Sequence, residues 1–227
     1  MSLEHPRNDV PKHAVDRRDG AAAPLPAGSA ETTSVPPPRH RIFLPSTGVE
    51  RFRAMLWSGA RATLFRCSPP FMNRWRVWLL RRFGARVGRG VSIDPSVIVR
   101  YPWRLAIADG CVIAHRVILD CMGEIAVGAR TRISQYAHLC AGTHDYTRPD
   151  MQIVRRPITV GADVWIAADV FVGPGVTVAD GTVVAARSSV FHDLPDGVIA
   201  AGEPATVRRE RAARSSPTDA AARPVRS

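Results

Sequence analysis

From residue 87 onward, aliphatic residues recur at every sixth position. They are Val87, Ile93 and Val99; Ile107, Ile113 and Leu119; Val127, Ile133 and Leu139; Val160, Ile166 and Val172; and Val178, Val184 and Val190. The residue after each is mostly small (Gly88, Ala108, Ala114, Gly128, Ser134, Gly161, Ala167, Gly173, Ala179, Ala185), with Arg100 and Phe191 as exceptions. The residue four after is mostly small or β-branched, as at Val91, Val97, Val117, Thr131, Val164, Val170, Val176 and Thr182. Extra pairs, Leu105-Ala106 and Ile125-Ala126, fall between groups of three. A period of six fits neither an amphipathic helix nor the alternation of a half-buried strand. It predicts a short strand and a corner, repeated, with the aliphatic side chain inside and a small neighbour where the chain turns. Three hexads close one triangular coil, so these fifteen predict a mainly β fold, a parallel β-helix of about five coils over 87–205. Each inward aliphatic contributes about 1.5–3 kcal/mol on burial, which provides the core.

Upstream the pattern changes. Over 51–86 aromatic and aliphatic residues (Phe52, Leu56, Trp57, Leu64, Phe65, Trp75, Val77, Trp78, Leu79, Leu80) are interleaved with arginine and interrupted by Pro69-Pro70. Two short helices with a break at the proline pair are expected. They suit either a cap over the end of the β-helix or an amphipathic surface attracted to anionic lipid. Residues 1–45 are rich in Pro, Ala, Ser and Thr without periodicity and are expected to be a disordered tail. Residues 206–227 form a basic C-terminal tail.

Charge sharpens this division. The chain of 227 residues carries a formal net charge of +11, yet residues 51–90 hold ten basic groups and no acidic one, whereas 91–205 hold nine against twelve. The predicted body is slightly acidic, so nucleic acid is not the expected partner. No stretch approaches the roughly 20 apolar residues of a membrane span, and the first residues lack the apolar run of a secretory signal. A cytoplasmic protein is expected, peripheral at the inner face of the membrane if the basic segment is the lipid-facing surface rather than only the cap. Cys67, Cys111, Cys121 and Cys140 show no paired spacing for zinc or a disulfide framework.

The hexad register breaks once, after coil three, where about fifteen residues leave the repeat before Val160 resumes it. Long excursions in repeat folds commonly build a binding face. This one opens with Gly142-Thr143-His144-Asp145-Tyr146. A histidine, with its ordinary pKa of about 6.5, is suited to take a proton from a hydroxyl near neutral pH. It also serves as a loop-fixing cap, and Asp145 beside it suits a turn.

Several stretches carry a family resemblance: Pro102-Trp103, Ile133-Ser-Gln-Tyr-Ala-His-Leu-Cys140, Gly142 to Tyr146, Pro157-Ile-Thr-Val-Gly161, Val164-Trp-Ile166, Val172-Gly-Pro-Gly-Val176 and Ala201-Gly-Glu-Pro-Ala205. Over about two thirds of its length the chain resembles the left-handed β-helix acyltransferases, specifically the colanic acid biosynthesis acetyltransferase group related to maltose and galactoside O-acetyltransferases. The resemblance implies a left-handed coil and acetyl-CoA as donor, with no metal required. The acceptor would be a sugar hydroxyl in exopolysaccharide or surface-glycan assembly. It further implies that His144 is the general base and that Asp120 holds the acceptor. His115 stands where relatives carry an asparagine that positions the reacting groups. Trp165 would wall the pantetheine channel, with Ala168 and Ala186 beside it; Arg187 replaces a usual glycine and His192 a usual lysine. Arg208 or Arg209 would meet the CoA phosphates. Relatives place each site between neighbouring prisms, so a homotrimer is expected. Two other classes stay open: a zinc hydratase of the γ-carbonic-anhydrase type, which needs His115, His138 and His144 to converge, and a non-catalytic β-helix scaffold.

Overall fold

A computed structural model describes residues 41–42 and 47–212. The tail expected over 1–45 falls almost wholly outside the described residues, as does the last part of the basic segment 206–227.

The hexads form a parallel β-solenoid with three faces. The first face stacks Arg86–Val87, Leu105–Ile107, Ile125–Val127, Ile158–Val160 and Thr177–Val178. The second stacks Ser92–Ile93, Val112–Ile113, Arg132–Ile133, Trp165–Ile166, Val183–Val184 and Val198–Gly202. The third stacks Ile98–Arg100, Ile118–Asp120, His138–Cys140, Phe171–Val172 and Ser189–Val190. Five turns are complete, and Leu194, bridged to Val178, with Val198–Gly202 begins a sixth. Neighbouring coils pair in register, so Ile93, Ile113 and Ile133 lie directly above one another, as do Val99, Leu119 and Leu139.

All fifteen periodic aliphatics are buried, none exposed beyond the 7% of Val87. Most of the residues four after them line the same core, Thr143 at the start of the excursion being exposed; Cys111 and Ala137 fill this position where the sequence lacks a β-branched residue. The small neighbour has a steric cause as well as a conformational one. A Cβ on Gly128 would stand 2.4 Å from the Gly161 carbonyl carbon of the next coil, so backbones at this corner stack too closely for a side chain. At the next corner the chain turns through the left-handed region with non-glycine residues: Arg116, Tyr136, Asp169 and Arg187 have φ of 53°, 63°, 58° and 59°. Arg187 thus adopts the same conformation as its neighbours in the column.

A stack of coils leaves two open edges of unpaired backbone groups. The first is covered by helix α1 (Gly48–Ala60), a wider turn (Arg61–Phe65) and helix α2 (Asn73–Arg82). Thr47 caps α1 by accepting from the Glu50 amide, and Pro69-Pro70 lies in the break between the helical segments. Their side chains meet the first coil's backbone one group at a time. Trp57 Nε1 donates to the Val99 carbonyl at 2.8 Å; Asn73 donates to Val91 O at 2.7 Å and accepts from Ile93 N at 2.9 Å. Arg81 donates to Val87 O and Gly88 O. Arg76, 2% exposed, donates to Ile93 O, Ser68 Oγ, Pro69 O and Pro70 O. Burial lowers its guanidinium pKa from the ordinary value, an effect that the Asp94 carboxylate opposes. The far end closes differently: Val198–Gly202 pairs antiparallel with Ala205–Glu210, and Arg211 donates to Asp163 O and Gly181 O.

Replacing Arg76 with Met removes the donors from three carbonyls while keeping much of the bulk. Unsatisfied buried groups cost about 1–3 kcal/mol each, so Arg76→Met is expected to lower unfolding free energy by roughly 3 kcal/mol or more. Urea unfolding followed by circular dichroism checks this; an unchanged midpoint would mean the edge does without the guanidinium.

Candidate active site

After His138–Cys140 the chain leaves the corner between the third and first faces. The excursion is a β-hairpin, Gly142–His144 against Ile153–Arg155, to whose outer strand Arg41–Ile42 adds antiparallel. Asp145 builds the turn: its Oδ1 accepts from Thr147 N at 3.1 Å and Thr147 Oγ1 at 2.6 Å. These bonds hold its carboxyl below the usual carboxylate range. The reversal brings the Met151 carbonyl to 2.6 Å from His144 Nδ1. A carbonyl can only accept, so Nδ1 carries the proton, and Nε2 of the neutral ring keeps its lone pair. His144 is exposed.

Asp120 ends the third-face strand of coil two, directly opposite Cys140 and Arg100 of the neighbouring coils. It is 8% exposed; Oδ2 lies 3.5 Å from the Arg100 guanidinium, while Oδ1 has no hydrogen-bond partner. The hairpin root joins the same place, for Ala141 N donates to Asp120 O at 3.1 Å and Cys140 Sγ lies 3.3 Å from Gly142 O. Asp120 and the root of the His144 hairpin therefore share one edge of the prism.

The other predicted residues lie elsewhere. His115 is at the corner between the second and third faces, its Nδ1 3.0 Å from Ser96 Oγ and 3.8 Å from Asp94, its ring edge-on to Tyr136. Ala168 and Ala186 occupy the same corner in coils four and five, in the column of His115. Trp165 stands on the second face, half exposed, with Nε1 donating to Ser134 Oγ at 3.0 Å. Arg208 and Arg209 lie on Ala205–Glu210 along the closing edge, Arg208 donating to Ala201 O at 3.2 Å. One chain thus displays two groups of residues at two different corners.

The three histidines of the hydratase reading do not converge. Among the described residues, the one group of three potential metal-ligand residues whose ligand atoms all lie within 4.8 Å of one another is Asp120, His138 and Cys140. Sequence reasoning missed the company His138 and Cys140 keep. The signal was available in the spacing, because Arg100, Asp120 and Cys140 are each one coil apart.

No family profile matches the chain. The Escherichia coli K12 protein that bears the name colanic acid biosynthesis acetyltransferase WcaF is 48% identical over 164 residues, which cover 72% of this chain and 90% of the relative. The chain belongs to the colanic acid biosynthesis acetyltransferase family. Among solved structures, a maltose O-acetyltransferase from Clostridium difficile 630 shares the fold of this acetyltransferase with a TM-score of 0.70 at 19% identity, over 76% of this chain and 93% of its own. A hexapeptide-repeat acetyltransferase from Vibrio cholerae does so with a TM-score of 0.65 at 25% identity, over 73% and 94%.

His138 gives the acetyltransferase a pH signature. Burial lowers its imidazole pKa from the ordinary 6.5; the Asp120 carboxylate opposes this and Arg100 adds to it. Below 6.5 the unfolded chain takes up this proton before the folded one does, so this contribution to stability is lost as pH falls through that window. Besides Asp120 and Arg100, the ring faces Phe171 edge-on and shares the potential metal-ligand cluster with Cys140. His138→Asn is expected to flatten the pH dependence of the urea midpoint below neutrality; a profile parallel to wild type would assign that slope to other groups.

Proposed function

We propose that this acetyltransferase moves the acetyl group of acetyl-CoA to a sugar hydroxyl during exopolysaccharide or surface-glycan assembly, with His144 as general base. The observation that carries the role of His144 is the Met151 carbonyl on Nδ1, which leaves Nε2 as the acceptor. Nε2 takes the proton of the sugar hydroxyl as its oxygen bonds to the thioester carbonyl carbon. Collapse of the tetrahedral adduct breaks the carbon–sulfur bond, and the imidazolium returns its proton to the departing CoA sulfur. The donor assignment draws on the Vibrio cholerae acetyltransferase, also solved in complex with acetyl-CoA. Trp165, Ala168 and Ala186 would flank the pantetheine arm, with Arg208 or Arg209 near the phosphates and Asp120 and His115 on the acceptor side.

The division of these residues between two corners supports a homotrimer whose sites form between neighbouring prisms. The corner with His144 and Asp120 on one subunit would face the corner with His115, Ala168 and Ala186 on the next. His144→Ala is expected to slow acetyl transfer by roughly 100-fold or more, with an unchanged circular dichroism spectrum. Ala168→Trp, which fills the proposed donor groove, is also expected to be inactive. Refolding the two variants together should restore turnover, since a mixed trimer contains one intact pair of corners. Wild-type turnover by His144→Ala excludes this base, and a mixture as inactive as its parts places the site within one chain.

Among the described residues no helix is long and apolar enough to cross a membrane. The cap nevertheless exposes Val49, Phe52, Met55, Phe71 and Trp78 amid its arginines, which supports reversible docking on anionic lipid at about 1 kcal/mol per well-placed cation. Full-length protein is expected to sediment with anionic liposomes at low salt and to be released at high salt. Equal sedimentation with neutral liposomes, or none with either, removes this docking role.

A further inference from the structure

A groove of about 500 Å³ runs beside the corner that carries His115, lined by Arg61, Arg66 and Arg116 with Ser96, Ile98, Ile118, Tyr136 and Asp169. That volume suits a small-molecule group. Its apolar floor is a cross-coil pair, Ile98 opposite Ile118. The arginines come from two separate parts of the chain: Arg61 and Arg66 from the cap, Arg116 from the turn of coil two. None of the three has an ion-pair partner among the described residues, whereas seven arginines of the solenoid and its hairpin do, Arg89 with Asp109 and Arg130 with Asp163 among them. The groove's single acid, Asp169, is engaged by Arg187 at 3.7 Å.

Three arginines border the groove against one carboxylate, and that one is paired with Arg187, which leaves an excess of positive charge over an apolar floor. Planar guanidinium forks bind phosphate oxygens two at a time. A diphosphate offers such oxygens on two adjacent phosphorus atoms, which lets more than one arginine engage it. Arg61 also lines an adjoining cavity of about 320 Å³ with Arg100, and Arg100 pairs with Asp120. The groove therefore shares Arg61 with a cavity whose other arginine pairs with the proposed acceptor residue Asp120.

We propose that this groove binds a diphosphate, so that the sugar is acetylated while still joined through that group to an isoprenoid lipid or a nucleoside. The inference rests on the reading of the chain as a glycan acetyltransferase. It also places the reaction after the step that activates the sugar as its diphosphate ester and before any step that releases the diphosphate.

Calorimetric titration of the full chain with inorganic pyrophosphate, geranyl diphosphate and uridine diphosphate, under saturating CoA, tests this without relying on turnover. Binding is expected to weaken with salt. The double variant Arg66→Gln/Arg116→Gln should lose at least about tenfold in affinity, while Arg74→Gln/Arg82→Gln, elsewhere on the cap, keeps it. Geranyl diphosphate binding more tightly than pyrophosphate supports the site with a lipid carrier, and uridine diphosphate doing so supports it with a nucleoside. No binding of any probe, equal loss in both double variants, or abolition of binding by CoA overturns the inference. Acetylation of a free sugar in the same preparation would leave the proposed acetyl transfer standing in each of those cases.

Discussion

Every strand of this solenoid is two or three residues long over most of its length, far too short to persist alone, and its backbone groups find partners only in the coils above and below. Stacking is thus both the source of order and the source of a problem at the ends. The solution at the first edge is chemical rather than merely steric. Trp57, Asn73, Arg76 and Arg81 supply donors, and Asn73 also an acceptor, at the positions where a further coil would have stood. Two arginines of the basic segment, Arg76 and Arg81, therefore have a structural use, since carbonyl-rich edges take arginine well.

The prism was legible because one aliphatic residue per hexad must point inward, and every member of the column from Val87 to Val190 is Val, Ile or Leu and buried. The break after coil three was legible for the same reason, as a failure of that column. The hairpin within it was harder to foresee. Ile153–Arg155 is a short apolar-to-basic stretch whose strand character comes from pairing with Gly142–His144, and the Asx turn at Asp145 depends on Thr147 two residues later. Side-chain company across coils was legible only in the spacing of one coil, not in any local pattern. His138 and Asp120 become neighbours only once the coils stack, and no local pattern announces that their facing atoms are left without partners.

The left-handed corner gives the molecule its chemical capacity. At the corner holding Arg116, Tyr136, Asp169 and Arg187 the side chains project outward, so residues there vary without touching the core. The core sets where the corner is; the corner residues set what meets it. Two such edges bordering one face would allow a site to be divided between copies of one chain, with the proposed base His144 on a hairpin and the proposed groove walls on the repeat.

The cap precedes the first coil in the chain, and this order has a consequence for assembly. Except across the hairpin, where the step is 33 residues, each coil pairs with one begun about twenty residues earlier, so closing a turn requires only a short loop to be ordered. A chain growing from its N-terminus presents α1 and α2 before the edge they cover exists. The cap is then available as a template on which coil one first finds its hydrogen-bond partners, and each coil in turn becomes the template for the next. The antiparallel return of Ala205–Glu210 closes the far end by offering the last strand a partner that cannot propagate the stack.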